Sequence, residues 1–112
     1  MSELLNQALA EGSISVRASA SNWKQALELA GDALVTSHRT TPKYTEAMVQ
    51  AFEELGPYMV IAPGIALAHA RPSEAVLGTG LSLITLSEPV VFGSEANDPV
   101  TLVIGLAAVD HD

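Results

Sequence analysis

The sequence predicts an α/β sandwich. Two amphipathic segments with helical spacing precede two long aliphatic runs of strand character, and short β-prone pieces interleave with them. The core this requires is available: 48% of the 112 residues are hydrophobic, enough for one domain of this length. Aromatic residues make up only 4%, so Leu, Val, Ile and Ala must build that core. Residues 1–112 read as one domain, with no low-complexity linker and no internal repeat.

Taken in order, Leu4, Leu5, Ala8 and Leu9 share one helical face, and Gly12 is a plausible stop. SISVRAS (13–19) reads as a short strand. Trp23, Ala26, Leu27, Ala30 and Leu34 keep helical spacing, with Ser21 or Asn22 as N-cap. The polar loop TSHRTTP follows. Thr41 then caps a helix whose first position suits Pro42, and whose apolar face is Tyr44, Met48, Ala51, Phe52 and Leu55. Gly56-Pro57 ends it. YMVIA is β-prone, and GLSLITL (80–86) and VTLVIGLAAV (100–109) read as strands, the second buried on both faces. Between them SEPVVFGSEANDP is turn-rich and acidic. The sequence then stops at AAVDHD, directly after a buried strand. Such a strand normally leads into an element that covers the sheet, so a closing helix is expected to be absent and the domain C-terminally truncated.

Composition excludes several functions. There is no cysteine, hence no disulfide, thiolate metal site or cysteine nucleophile. The formal net charge is −8 with five Lys and Arg in all, which disfavours nucleic acid, because phosphate neutralisation needs clustered cations. Acidity serves solubility, and it also suits a basic protein partner. MSELLNQALAEG has no basic flank and does not read as a signal peptide. No apolar run approaches the roughly 18 residues of a membrane span. A soluble cytoplasmic protein is expected.

The three histidines differ in setting. His38 lies near a helix end, where a surface imidazole is ordinary. His111 sits between two aspartates near the terminus and reads as solvated. His69 closes the apolar run VIAPGIALAHARP (60–72), with Arg71 two positions on. A satisfied structural histidine fits that context as well as a functional one. Metal and cofactor chemistry is not expected: H-x-H and H-E-x-x-H are absent. G-x-S-x-G is absent too, and Gly78 and Gly80 are a lone pair without a phosphate-loop lysine. What remains is an imidazole acting alone as nucleophile. An activated phosphoryl group suits it, because that chemistry needs positioning and charge stabilisation more than acid–base machinery. His69 would attack and Arg71 would neutralise the phosphoryl oxygens. On a strand, the i, i+2 spacing would put both on one face.

GPYMVIAPGIALAHARP, followed by GLSLITLSEPVVFGSEANDPVTLVIGLAAVDHD, resembles the enzyme IIA domains of the bacterial phosphoenolpyruvate-dependent sugar phosphotransferase system, in their mannitol–fructose superfamily. The resemblance covers the chain from NWKQALELAG at residue 22 onward. It implies a mixed central sheet flanked by helices on both faces. It also implies a histidine that takes a phosphoryl group from the phosphocarrier HPr and passes it to an enzyme IIB component, with the membrane component IIC acting downstream. The family histidine closes a G-I-A-φ-P-H segment, φ being aliphatic. Here that segment is Gly64, Ile65, Ala66, Leu67, Ala68, His69, so the nucleophile maps to His69.

Three departures accompany the resemblance. Ala68 replaces the usual proline. Mannitol-type members carry an arginine on the preceding helix, whereas 47–55 has none, which leaves the charge role to Arg71. The family's second histidine follows the last strand; His111 is near that place with short spacing, and the counterpart is expected beyond Asp112. The wording A-P-G-I-A-L-A-H-A-R-P looks most like the ascorbate branch, whose IIB partner offers a cysteine. A regulatory enzyme IIA-like module, phosphorylated on His69 without transporting sugar, is the alternative, and a non-functional fragment is a third reading. Self-association into a homodimer stays open.

Overall fold

The structure is a computed structural model that describes residues 13–109. The proposed helix over Leu4–Leu9 and the residue His111 lie outside the described residues. In chain order the elements are β1 (Ile14–Ala18), α1 (Trp23–Thr36), α2 (Pro42–Leu55), a 3-10 turn (Pro57–Met59), β2 (Val60–Ala62), β3 (Ile65–Ala68), β4 (Gly80–Val90) and β5 (Val100–Ala107).

The strands form one sheet in the order β1-β4-β5-β3-β2. β1 runs parallel to β4, and β3 parallel to β5. The β4–β5 and β3–β2 pairs are antiparallel. This is the mixed α/β sheet expected. The crossover from β1 to β4 carries both helices, whereas β3 reaches its parallel neighbour β5 by way of β4, which lies antiparallel against β5.

Helix α1 starts where Asn22 Oδ1 accepts from the Gln25 N–H at 2.9 Å, and Gln25 Oε1 accepts from the Ser21 N–H at 2.7 Å. This reciprocal cap satisfies amides that the first turn cannot. Ala26, Leu27, Ala30, Ala33 and Leu34 form its buried face. The helix lies close on the sheet because the residues below it are small. Ser82 Oγ donates to the Ala30 carbonyl at 2.9 Å, and a Cβ on Gly105 would collide with that hydroxyl. Helix α2 begins at Pro42, as its missing N–H allows, and ends at Gly56, whose φ of 82° is left-handed.

The core sits between these helices and one face of the sheet. Ile84, Val103, Ala66 and Ala68 contribute from the strands, and Leu27, Leu34, Tyr44, Met48 and Phe52 from the helices. Phe52 stacks on Trp23 at 4.3 Å between ring centroids and meets Phe92 edge-on at 5.7 Å. Of the helices expected on both faces, the described residues supply those of this one face. Along β4 and β5 the opposite face is half-buried. That corrects the expectation for β5: Val103, Gly105 and Ala107 are buried, but Leu102, Ile104 and Leu106 are only half-buried.

Two further expectations change. β4 continues through Ser87, Glu88 and Pro89 to Val90, although these read as loop; they are exposed, so their polarity costs the strand nothing. Leu55, in the last turn of α2, is 67% exposed, and Thr45 and Val49 are the buried additions to that helix's inner face.

Candidate functional site

The geometry around His69 starts at the opposite end of β3. Gly64, with φ 78°, turns the chain from β2 into β3. Its N–H donates to the Asn97 carbonyl at 2.9 Å, and its own carbonyl accepts from Thr101 at 2.8 Å and Leu102 at 3.1 Å. From there β3 runs beside β5 in unbroken register, Ile65↔Leu102 to Ala68↔Gly105. His69 is the first residue past the strand, so its position is fixed by the ladder behind it.

The His69 ring is oriented by two contacts. Nδ1 lies 2.9 Å from the Leu67 carbonyl oxygen. A carbonyl only accepts, so Nδ1 carries the proton and Nε2 keeps its lone pair. The pairing of β2 with β3 ends at Val60↔Ala66, and the Leu67 carbonyl lies one residue past that end. The second contact is Tyr58, whose ring meets the imidazole edge-on at 5.4 Å between centroids. Partial burial raises the Tyr58 phenol above its ordinary pKa, so at neutral pH the ring beside the histidine is uncharged.

His69 and Arg71 line one cleft of about 730 Å³, with Gln50 and Glu54 of α2, Leu55 and Tyr58 on its other walls. Arg71 is exposed, and among the described residues its guanidinium makes no hydrogen bond or ion pair. β3 stops at Ala68, so His69 and Arg71 reach this shared cleft from the irregular segment after the strand and not from the strand itself. The α2 wall carries no arginine. Gln50 donates to Glu54 at 3.2 Å there.

Beneath the site is Tyr44, 1% exposed. Its hydroxyl lies 2.7 Å from the Leu106 carbonyl and 3.2 Å from that of Ala70, and accepts from the Ala70 N–H at 3.1 Å. Burial, above all, raises its pKa; the Ala70 backbone bond opposes that, and Tyr58 adds to it. Neither tyrosine was legible as a site residue, since Tyr44 counts as core in a helical pattern and Tyr58 as β-prone. The available signal was the phenol itself, a polar tip that needs a partner when buried. His38 is exposed in the turn after α1 with φ 62°, away from the cleft lining.

Comparison with known proteins decides the family. Residues 7–112 match the family described as "Phosphoenolpyruvate-dependent sugar phosphotransferase system, EIIA 2". The chain belongs to this family. It is 46% identical over 107 residues to the ascorbate-specific PTS system EIIA component of Salmonella typhimurium, covering 95% of this chain and 70% of that protein. The solution structure of the mannitol-specific cryptic phosphotransferase enzyme IIA CmtB from Escherichia coli superposes with a TM-score of 0.84 at 37% identity, over 95% of this chain and 71% of that one. The Escherichia coli mannitol enzyme IIA, solved in complex with phosphorylated mannitol enzyme IIB, gives 0.81 at 31% identity, over 93% and 72%. Among the described residues no helix is long and apolar enough to cross a membrane.

Proposed function

We propose that this EIIA chain is a phosphoryl carrier on the path of L-ascorbate uptake, with His69 as nucleophile. The observation that carries the reading is the bond from His69 Nδ1–H to the Leu67 carbonyl. It fixes one tautomer, so Nε2 attacks without a separate base. Nε2 displaces the phosphoryl group from phospho-HPr: the bond from phosphorus to its HPr atom breaks as the Nε2–P bond forms. In the second transfer a thiolate of the IIB component attacks phosphorus, and the electron pair of the Nε2–P bond returns to the imidazole.

Neither step demands covalent help from other residues. What each needs is in-line placement and cancellation of charge on the equatorial oxygens. Arg71 supplies the charge from the same cleft, and its planar fork can hold two oxygens at once. Its lack of a partner among the described residues leaves it available for this. Tyr58 fixes the ring plane by edge contact. Exposed Leu55 and Tyr58, at 67% and 42%, give the cleft an apolar rim where a protein partner docks.

The ascorbate assignment is supported by the 46% identical relative of that name and by the α2 wall, where Gln50 and Glu54 stand and arginine does not. Since an enzyme IIA never touches sugar, specificity lies in which IIB it fits. The test is a competition in which the phosphorylated chain is offered ascorbate-type and mannitol-type IIB components. The ascorbate type should win in second-order rate, where docking differences appear. A faster mannitol-type transfer removes the ascorbate assignment.

A further inference from the structure

The β3–β5 ladder has a regular bonding pattern that can be extended past its end. At its start the Leu102 N–H donates to Gly64 O. With the register Ile65↔Leu102 through Ala68↔Gly105, the even-numbered residues of β3 face β5. In a parallel pair, the N–H of a residue bonds the carbonyl preceding its partner. Continued by one step, this rule joins the Ala70 N–H to the Leu106 carbonyl. These two groups do not meet. The Tyr44 hydroxyl stands between them, accepting from Ala70 at 3.1 Å and donating to Leu106 at 2.7 Å. The Ala70 carbonyl, 3.2 Å away, shares that single proton. Two bonds through an oxygen hold the strands wider than one direct N–H···O bond of about 2.9 Å.

We infer that Tyr44 is a positioning residue for His69: its hydroxyl, inserted between Ala70 and Leu106, stops the β3–β5 ladder from closing and holds the imidazole in its reactive orientation. The functional half of this rests on the carrier reading above. His69 is clamped between two fixed backbone points, the Leu67 carbonyl before it and the Ala70 amide after it. Both are within two residues, so a shift of either moves the ring. If the hydroxyl is removed, the Ala70 amide and the Leu106 carbonyl, both on half-buried residues, are left unpaired, which carries a cost, unless they bond each other. Closing that bond draws residue 70 toward β5 and pulls His69 off Leu67.

Tyr44→Phe tests this with three readouts. Nuclear magnetic resonance of the wild type should show no through-bond coupling between the Ala70 nitrogen and the Leu106 carbonyl carbon; in Tyr44→Phe that coupling appears. The His69 ring nitrogens should report the single Nδ1–H tautomer in the wild type and a mixture in the variant. In transfer from phospho-HPr, kcat should fall roughly 10- to 100-fold with KM unchanged, as a misplaced nucleophile predicts. A variant with the wild-type tautomer and kcat overturns the inference, as does a rate loss that tracks only the unfolded fraction. If Tyr44→Phe does not fold, the wild type decides. A slowly exchanging Tyr44 hydroxyl proton close to the Ala70 amide supports the inserted hydroxyl, and a direct Ala70–Leu106 coupling refutes it. A wild type that accepts no phosphate sinks the carrier reading alone, because the coupling and tautomer measurements stand without it.

Discussion

The two ends of β3 are held by different kinds of bond. At Gly64 the chain is tied chiefly by backbone, to Asn97, Thr101 and Leu102, with a longer bond from the Thr101 hydroxyl at 3.4 Å. That end is reinforced from behind, since the Asp98 carboxylate accepts from the Phe92 and Gly93 amides at 2.9 and 2.8 Å and so orders the acidic loop against which the turn rests. At the other end, one residue past His69, the tie is a single side-chain oxygen, that of Tyr44. Backbone bonds carry most of the first end, so it depends little on side-chain chemistry. The side-chain tie makes the second end adjustable by one atom, and it leaves the strand terminus open as a cleft instead of closed as sheet. On the carrier reading proposed above, the strand is anchored at the end remote from the reaction and open at the end where phosphorus would approach.

This contrast can be broken from either end. At the open end, Arg71→Ala should slow phosphoryl acceptance by roughly 10- to 1,000-fold, the scale of one lost transition-state charge contact. Its melting temperature should stay unchanged, because Arg71 is exposed. Rapid-quench kinetics beside a thermal melt measure both, and unchanged kinetics remove Arg71 from the site. At the closed end, Gly64→Val forces a β-branched residue to φ 78° and should cost about 1–3 kcal/mol of stability. Because the turn is remote from His69, acceptance per folded molecule should stay within about twofold. A large rate loss in that variant at a temperature where it is folded would mean that the two ends are not independent.

A smaller effect sharpens the role of Tyr44. Its phenol, raised above the ordinary 10.0 mainly by burial, keeps its proton in the folded chain at pH values where the unfolded chain loses it. The stabilisation from the protonated form is therefore complete below pH 10.0 and declines as pH rises from there through the folded value. Denaturant melts above that point should show the wild type losing stability more steeply than Tyr44→Phe. Parallel slopes would mean that the hydroxyl is not held in its protonated, bonded state.

Much of this arrangement was legible in the residues. Helical spacing locates α1 and α2, and GIALAHAR sets His69 and Arg71 two positions apart, both of which line the cleft. What escaped has a common physical cause. Tyr44 reaches Ala70 across 26 positions and Leu106 across 62, and spacing within one element carries no information about partners so distant. The strand nature of Ser87, Glu88 and Pro89 was hidden because an exposed strand end tolerates polar residues, and composition there reads as loop. β5 looked buried on both faces because its aliphatic run has no polar alternation; the structure separates its faces by burial, with Val103, Gly105 and Ala107 buried and Leu102, Ile104 and Leu106 half-buried opposite.

The central claim is that His69 Nε2 carries the phosphoryl group. The most direct measurement is incubation of the wild-type chain and His69→Gln with phosphoenolpyruvate, enzyme I and HPr, followed by peptide mapping of bound phosphate. The wild type should acquire acid-labile, alkali-stable phosphate on the peptide containing His69, and a folded His69→Gln should acquire none. Phosphate that persists in His69→Gln, or that resists acid as a serine or threonine ester does, would contradict the account.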